Sequence, residues 1–221
     1  MSAYTIHLLH RWRLSRDVFV LRFERPSGFT FEPGQYIRFH RGERLRDYTL
    51  VSSTKNRWLE ICVRQLPGGG LTQELIAAPL GQPFLIEGPQ GYFRFQSEPG
   101  EAVFIATGTG IAPFVAFVRA GARGFTLLQG APTAEALLFG EEMRRSAGTY
   151  LGCLSAPSDE VADATVGPAW QFQGRVTEAL GSLPIRPYQF YLCGGTAMIR
   201  DTIRIIDARF QGAAVFTETF Y

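Results

Sequence analysis

Ala102-Val103-Phe104-Ile105-Ala106-Thr107-Gly108-Thr109-Gly110-Ile111-Ala112-Pro113-Phe114 runs from an apolar stretch through a glycine-rich turn into a helical pattern. A buried strand handed through such a turn to a helix is the opening of a βαβ unit. Gly108 and Gly110 let backbone amides come close to an anion. A helix start behind them offers unpaired N–H groups and about half a positive charge. Pro113 fits a first helical turn, where its missing N–H is no loss. Tight strand-to-helix turns need glycine anyway, so the turn alone would be weak grounds for a nucleotide site. The Gly-Thr-Gly-Ile-Ala-Pro form is rarer, and more specific, than the common G-x-G-x-x-G.

Downstream the alternation continues. Strand patterns fall at 125–129, 150–154, 190–193 and 214–217, and helical ones at 113–120, 134–146, 177–180 and 196–209, with Thr177 as a cap and 155–174 as an irregular loop. This order predicts an α/β domain, a parallel sheet covered on both faces. Upstream the rhythm differs. Short β-like runs at 18–24, 36–40, 47–52, 58–65 and 84–87 are separated by Pro26, Gly28, Pro33-Gly34, Gly42, residues 67–70 and Gly88-Pro89, which predicts an antiparallel barrel or sandwich. One helix interrupts them at 73–78, with Thr72 as its expected cap. The boundary is placed at Ser97-Glu98-Pro99-Gly100, giving an antiparallel β domain over 1–97 and the α/β domain over 101–221.

A chain of 221 residues can bury a sizeable core without metals or disulfides, and 46% hydrophobic with 19% charged residues is an ordinary globular composition. No apolar run is long enough to span a membrane. The first 22 residues scatter Arg11, Arg13 and Arg16 among short apolar pieces, so no secretory signal is expected and the expected compartment is the cytoplasm. Cys62, Cys153 and Cys193 are widely spaced and odd in number, which excludes a disulfide framework and a cysteine-ligated zinc or iron–sulfur site. No metal is expected. Residues 1–97 carry 12 Arg and Lys55 against 8 acids, a net +5, while 98–221 carry 9 Arg against 12 acids, a net −3. Twenty-one Arg to one Lys is a compositional habit, and +5 over a domain is no nucleic-acid footprint. The alternative is that the first half meets an anion, either a phosphate ester or an acidic protein.

Arg46-Asp47-Tyr48-Thr49-Leu50-Val51-Ser52-Ser53 carries the second signal. On a strand, Arg46 and Tyr48 share a face. A flavin needs such a pair, a cation for its phosphate and a flat ring for its isoalloxazine. Thr49 starts on the opposite pleat, so a bend or bulge is required if it is to reach the ring edge. Taken alone, a strand tyrosine is more often core.

Arg-x-Tyr-Thr and Gly-Thr-Gly-Ile-Ala-Pro, in this order and about 60 residues apart, resemble the ferredoxin-NADP reductase superfamily. The resemblance extends to Pro33-Gly34-Gln35-Tyr36, Gly69-Gly70-Leu71-Thr72, Gly88-Pro89-Gln90-Gly91-Tyr92-Phe93 and Cys193-Gly194-Gly195, and so covers nearly the whole chain. It implies a flavin-binding barrel followed by a nucleotide-binding domain. FAD would be held by Arg46 at its pyrophosphate, Tyr48 on a ring face, Thr49 at N5, and Gly70, Leu71 and Thr72 at the phosphate. NADH or NADPH would be held by Thr107, Gly108, Thr109, Gly110 and Pro113, with Cys193 and Gly194 by the nicotinamide. At the C-terminus Glu218 would be the active-site carboxylate and Phe220 or Tyr221 the ring covering the flavin, Tyr221 being one residue beyond the family pattern. The helix start at Thr72 and the Gly-Pro-x-Gly-x-Phe segment favour FAD over FMN. Ala156 in place of an arginine, with Asp159, Glu160 and Asp163 after it, favours NADH, whereas Gly130-Ala131-Pro132-Thr133 resembles NADPH-using members.

The implied activity is hydride transfer from NAD(P)H to FAD and electron release to a ferredoxin or other protein acceptor, with no role for nucleic acid or membrane. Arg11, Arg13, Arg16, Arg38, Arg41 and Arg44 are candidates for docking an acidic ferredoxin. Two alternatives remain: an electron-transfer subunit of a larger redox complex, and a non-catalytic nucleotide-binding regulatory module.

Overall fold

A computed structural model of the chain describes residues 2–42, 44–68, 70–96, 101–156 and 169–219. The chain divides into two compact units, Met1–Gln96 with Ala112–Gly121, and Ser97–Ile111 with Ala122–Tyr221. The expected boundary segment, residues 97–100, lies outside the described residues.

The first unit is antiparallel, as predicted. It is built on β1 (Ala3–Arg13), β2 (Val18–Glu24), β3 (Tyr36–Arg41), β4 (Arg44–Thr49), β5 (Trp58–Arg64) and β6 (Pro83–Gln90), in the order β4-β3-β6-β1-β2-β5. The outermost strands meet: Leu50 bridges Ile61, and the Val51 amide donates to the Glu60 carbonyl at 2.8 Å, which closes the sheet on itself. Alternate residues fill the interior, with Phe19, Leu21 and Phe23 of β2 against Ile37, Phe39, Leu59, Ile61 and Ile86. The strand β1 was missed in the sequence because only Ile6 and Leu8 of its 11 residues are buried. The helix α1 (Gly70–Ala77) starts two residues before Thr72, so Thr72 stands in its first turn and is not its cap.

The helix α2 (Ala112–Arg119) also belongs to this unit. Phe114 and Phe117 pack on Phe93, and Phe117 on Phe95, at ring distances of 5.8–6.0 Å. Gly34, at φ +92°, lies under this cluster: a Cβ there would stand 2.0 Å from the Phe93 carbonyl oxygen.

The second unit is a parallel sheet, again as predicted. Its strands are β7 (Glu101–Thr107), β8 (Thr126–Ala131), β9 (Thr149–Leu154), β10 (Gln171–Gln173), β11 (Tyr188–Gly194) and β12 (Ala214–Thr219), ordered β10-β9-β8-β7-β11-β12. On one face Val103, Ile105, Leu128, Phe190 and Leu192 pack with α4 (Val176–Gly181) and α5 (Thr196–Arg209). On the other, Phe104 stacks on Phe125 at 4.4 Å and Tyr191 on Phe216 at 4.7 Å. Three local expectations fail. The helix expected over 134–146 is a 3-10 turn at Ala134–Ala136 and then α3 (Gly140–Ser146), because Phe139 takes a left-handed φ of 55°. Arg175, not Thr177, caps α4. The loop expected over 155–174 contains β10, paired in parallel with β9. Among the described residues no helix is long and apolar enough to cross a membrane, and no group of His, Cys, Asp and Glu is disposed to hold a metal.

Two glycines with positive φ separate backbone strain from collision. Gly28, at φ +76° with nothing near its missing Cβ, is expected to lose about 1 kcal/mol on substitution by Ala. Gly34→Ala adds a clash with the Phe93 carbonyl and is expected to lose about 3 kcal/mol or more, measured as the shift in urea midpoint.

Candidate functional site

In the first unit, β4 brings the expected flavin residues to the edge at which the barrel closes. Arg46 is opposite Phe39 and Tyr48 opposite Ile37, so the two share the pleat of the core residues. Arg46 is exposed; the bond found for its guanidinium is Nη1 donating to the Leu45 carbonyl, which leaves most of its donor edge for an anion. The neighbouring Asp47 points the other way, clamped bidentately by Arg38 at 2.7 and 2.8 Å. That pair lifts the Arg38 guanidinium further above its ordinary value, so Asp47 and Arg38 engage each other.

Tyr48 is half-buried, its ring edge-on to Phe39 at 5.6 Å, and its hydroxyl is 2.8 Å from Thr72 Oγ1 in the first turn of α1. Burial pushes the Tyr48 phenol up, with the Thr72 bond and the Arg46 charge opposing it, so it stays protonated. Two residues expected at opposite ends of the flavin are therefore tied together. Gly70, Leu71 and Thr72 open α1, whose first turn carries no acid to compete with a phosphate. Gly69 lies outside the described residues.

Thr49 ends β4 on the opposite pleat, opposite Tyr36. The expected irregularity is one strand away, a register shift in the β3–β6 pairing between Tyr36 and Arg38. Thr49 is 2% exposed, and its buried hydroxyl has no hydrogen-bond partner among the described residues. Such a group costs about 1–3 kcal/mol unless something accepts its proton, and a flavin ring nitrogen is an acceptor of the kind required. The donor set and the orphan hydroxyl both fit FAD.

In the second unit, β7 and β11 are neighbours whose following strands lie on opposite sides, so their carboxyl ends form the switch point where ligands of such sheets bind. Thr107, Gly108, Thr109 and Gly110 leave β7 there as a 3-10 turn; Cys193, Gly194 and Gly195 leave β11. The two ends touch. A Cβ on Gly110 would lie 2.3 Å from the Cys193 carbonyl oxygen, and one on Gly194 2.3 Å from Thr107 Oγ1. The Gly195 amide donates to that same hydroxyl at 3.4 Å. Neither the 3-10 turn nor α5 has an acid in its first turn, and α5 has no side-chain cap, so these two turns add no carboxylate beside their own amides. This cradle fits a pyrophosphate. Pro113 is buried as the second residue of α2, in the first unit.

Cys193 is fully buried and in register with Glu218 of β12, so both side chains share one face of the sheet. Burial, with the Glu218 charge adding to it, holds the thiol well above its ordinary value. Cys193 is thus a small neutral group, not a thiolate. The ring-covering candidates Phe220 and Tyr221 lie outside the described residues, as do Asp159, Glu160 and Asp163. Sequence reasoning missed Glu60, whose buried carboxylate meets both Arg22 and Arg119. Its signal was an acid inside the apolar run Leu59-Glu60-Ile61-Cys62-Val63.

Residues 5–95 match the family of oxidoreductase FAD-binding domains, and residues 104–204 that of oxidoreductase NAD-binding domains. The reductase component, ferredoxin–NAD(P)(+), of a naphthalene 1,2-dioxygenase system from Pseudomonas putida is 28% identical over 84% of this chain and 58% of its own. Ferredoxin–NADP reductase B of Sorangium cellulosum is 29% identical over 71% of this chain and 68% of its own. The crystal structure of a ferredoxin NADP+ reductase from Neisseria gonorrhoeae, bound to FAD and NADP, shares the fold, with TM-score 0.81 at 18% identity over 99% of both chains. The chain spans 33%, 58% and 68% of the first three curated relatives it matches.

All three thiols are buried, and burial pushes Cys62 and Cys153 up to about 12. At pH 8 a disulfide reagent is expected to leave all three unmodified in the native protein and to titrate all three in guanidinium. Because the protonated form is favoured on folding, this part of the stability is present below pH 9 and lost as pH rises towards about 12, so the urea midpoint falls over that window.

Proposed function

Because the chain belongs to the ferredoxin-NADP reductase superfamily, an FAD-binding domain followed by an NAD-binding one, we propose that it is a reductase that carries electrons from NADH, through FAD, to a separate ferredoxin-type protein. The observation that carries this reading is the buried, partnerless hydroxyl of Thr49, next in sequence to a half-buried tyrosine and three residues from an exposed arginine. Bound FAD would supply hydride acceptance from a reduced nicotinamide and release of those electrons one at a time. The chain supplies position. Arg46 and the start of α1 meet the phosphates, Tyr48 offers a ring face fixed by Thr72, and Thr49 donates its proton at the ring edge. Gly108, Thr109 and Gly110 hold the nicotinamide cofactor's pyrophosphate, while Cys193 leaves room for its ring and adds no charge. Glu218, in register with Cys193, is the carboxylate on that face.

NADH is favoured over NADPH because Ala156 follows β9 where an arginine would meet a 2'-phosphate; the Ala156 amide donates to the Pro132 carbonyl and its own carbonyl accepts from Gln173. For the acceptor, similarity to a ferredoxin–NAD(P)(+) reductase component of a dioxygenase system and to a ferredoxin–NADP reductase supports a ferredoxin. Of the candidate docking arginines, Arg13 and Arg16 are exposed, Arg11 donates to the carbonyls of Ile76 and Ala78, and Arg38 is clamped to Asp47. The side chains of Arg41 and Arg44 lie outside the described residues. A second reading, the flavin-bearing part of a larger electron-transfer assembly, is supported by relatives that extend beyond this chain.

Stopped-flow reduction of the yellow protein tests the proposal: bleaching is expected with NADH and to be slower with NADPH at equal concentration, and no bleaching with either overturns it. Thr49→Ala is expected to keep its flavin through gel filtration but to be reduced about 100-fold more slowly. Arg46→Ala is expected to lose flavin on the same column, and full occupancy would refute the phosphate role.

A further inference from the structure

We propose that Arg119 and Glu60 are positioning residues for Thr49, an inference that rests on the reading above and deepens it. Thr49 is the last residue of β4. Beyond it the chain must leave its pairing with β3 and join β5 within two residues, and the hydroxyl of Thr49 points wherever that crossing sets it. The Leu50 amide still bonds the Gln35 carbonyl at 2.9 Å, while the Leu50 residue bridges Ile61. Val51 is then gripped at both of its backbone polar groups. Its amide donates to the Glu60 carbonyl at 2.8 Å, and its carbonyl accepts from Arg119 Nη1 at 2.9 Å. The same Arg119 nitrogen is 3.2 Å from Glu60 Oε2, and the Glu60 amide donates to Ser52 Oγ at 3.2 Å. Glu60 thus holds the crossing three ways: by its carbonyl, by its amide and, through Arg119, by its side chain.

Stability alone does not account for the charges. A buried ion pair contributes little net stability over an apolar pair of the same volume, and β5 is apolar on both sides of Glu60. What an apolar pair cannot do is bond the Val51 carbonyl, which is buried with Val51 at 0% exposure. The pair is also backed from behind. Arg22 meets Glu60 Oε1 at 2.8–2.9 Å and stacks over Trp58 at 4.4 Å, which keeps the carboxylate fixed independently of Arg119. Removing Arg119 therefore frees the Val51 carbonyl without leaving Glu60 uncompensated. Arg119 closes the last turn of α2, the helix that follows directly on the glycine turn, and so this helix takes part in setting the flavin-side hydroxyl.

The test is Arg119→Met, with Arg119→Lys as the conservative variant, since one ammonium replaces a planar fork and retains the charge. Amide hydrogen exchange over residues 49–52 reads the geometry without reference to activity. Arg119→Met is expected to speed exchange at Val51 about tenfold or more. In stopped flow, the limiting rate of flavin reduction per bound flavin is expected to fall about 10- to 100-fold at saturating NADH, with half-saturation changed less than about twofold, because about 1 Å of misplacement costs about 100-fold. Arg119→Lys is expected to recover part of both effects. A merely structural role would lower the urea midpoint or the flavin content and leave the rate per bound flavin intact, and that result, or unchanged exchange at Val51, overturns the inference. If the parent itself keeps its colour under both nucleotides, the reading of function falls, and this inference with it; a parent that is reduced while Arg119→Met is equally fast sinks the inference alone. Should Arg119→Met not fold, Glu60→Gln, of the same shape and without the charge that fixes Arg119, is held to the same two readouts.

Discussion

An antiparallel sheet with two free edges must do something with the unpaired N–H and C=O groups along them. The first unit solves this by bringing β4 to β5, and the seam is two residues long, Leu50 and Val51. Much else follows from that short seam. Thr49, the last residue before the strand changes partners, keeps the regular pleat and so is buried on the face opposite Tyr48, and among the described residues nothing bonds its hydroxyl. The barrel thus closes at the expense of one orphan donor, set beside the residues suited to hold a flavin. Placing it elsewhere would carry the same penalty with no ligand to relieve it.

The second unit depends on a different constraint, the absence of side chains. Gly110 and Gly194 bring the ends of β7 and β11 into backbone contact, closer than any Cβ allows. The consequence is electrostatic. Amides of two loop ends are gathered in one place with no carboxylate in the first turns, an arrangement suited to an anion. Thr107 is the hinge pin of this arrangement, its hydroxyl under Gly194 and accepting from the Gly195 amide.

Both architectures could be read from the sequence because each announces itself by spacing: turn residues between short β runs in one half, strand and helix in alternation in the other. What stayed hidden was hidden for definable reasons. Strand β1 has only two fully buried residues, Ile6 and Leu8, and an exposed leucine, Leu9, stands next to them among Arg, His and Trp, so no alternation stands out. Helix caps at Thr72 and Thr177 were read from residue type, yet each threonine sits inside its first turn, and one of them bonds Tyr48 instead. Phe139 breaks the helix over 134–146 through a left-handed φ that its residue type gives no hint of. The two flavin-side residues Arg46 and Tyr48 were legible as a pair on one pleat. The ring of contacts around Val51 was not, because Arg119 and Glu60 stand 59 residues apart and only the packing of α2 within the first unit brings them together.

The excess of arginine over lysine, read in the sequence as habit, has a structural use. Arg25 gathers the carbonyls of Phe29, Thr54 and Asn56; Arg11 caps the end of α1 on Ile76 and Ala78; Arg38 takes Asp47 with two parallel bonds. Arg22 pairs with Glu60 while lying over Trp58, and Arg94 and Arg64 meet Glu32 and Asp17. Arg25, Arg38 and Arg22 each engage through two nitrogens of a planar fork, which an ammonium cannot replace. The net charge of the first half therefore overstates the cation available to a partner, since many of its guanidinia already face inward to carbonyls and carboxylates. An acidic acceptor would be met by the remaining exposed ones, such as Arg13 and Arg16, and electrostatic steering from so few charges raises association rates more than final affinity.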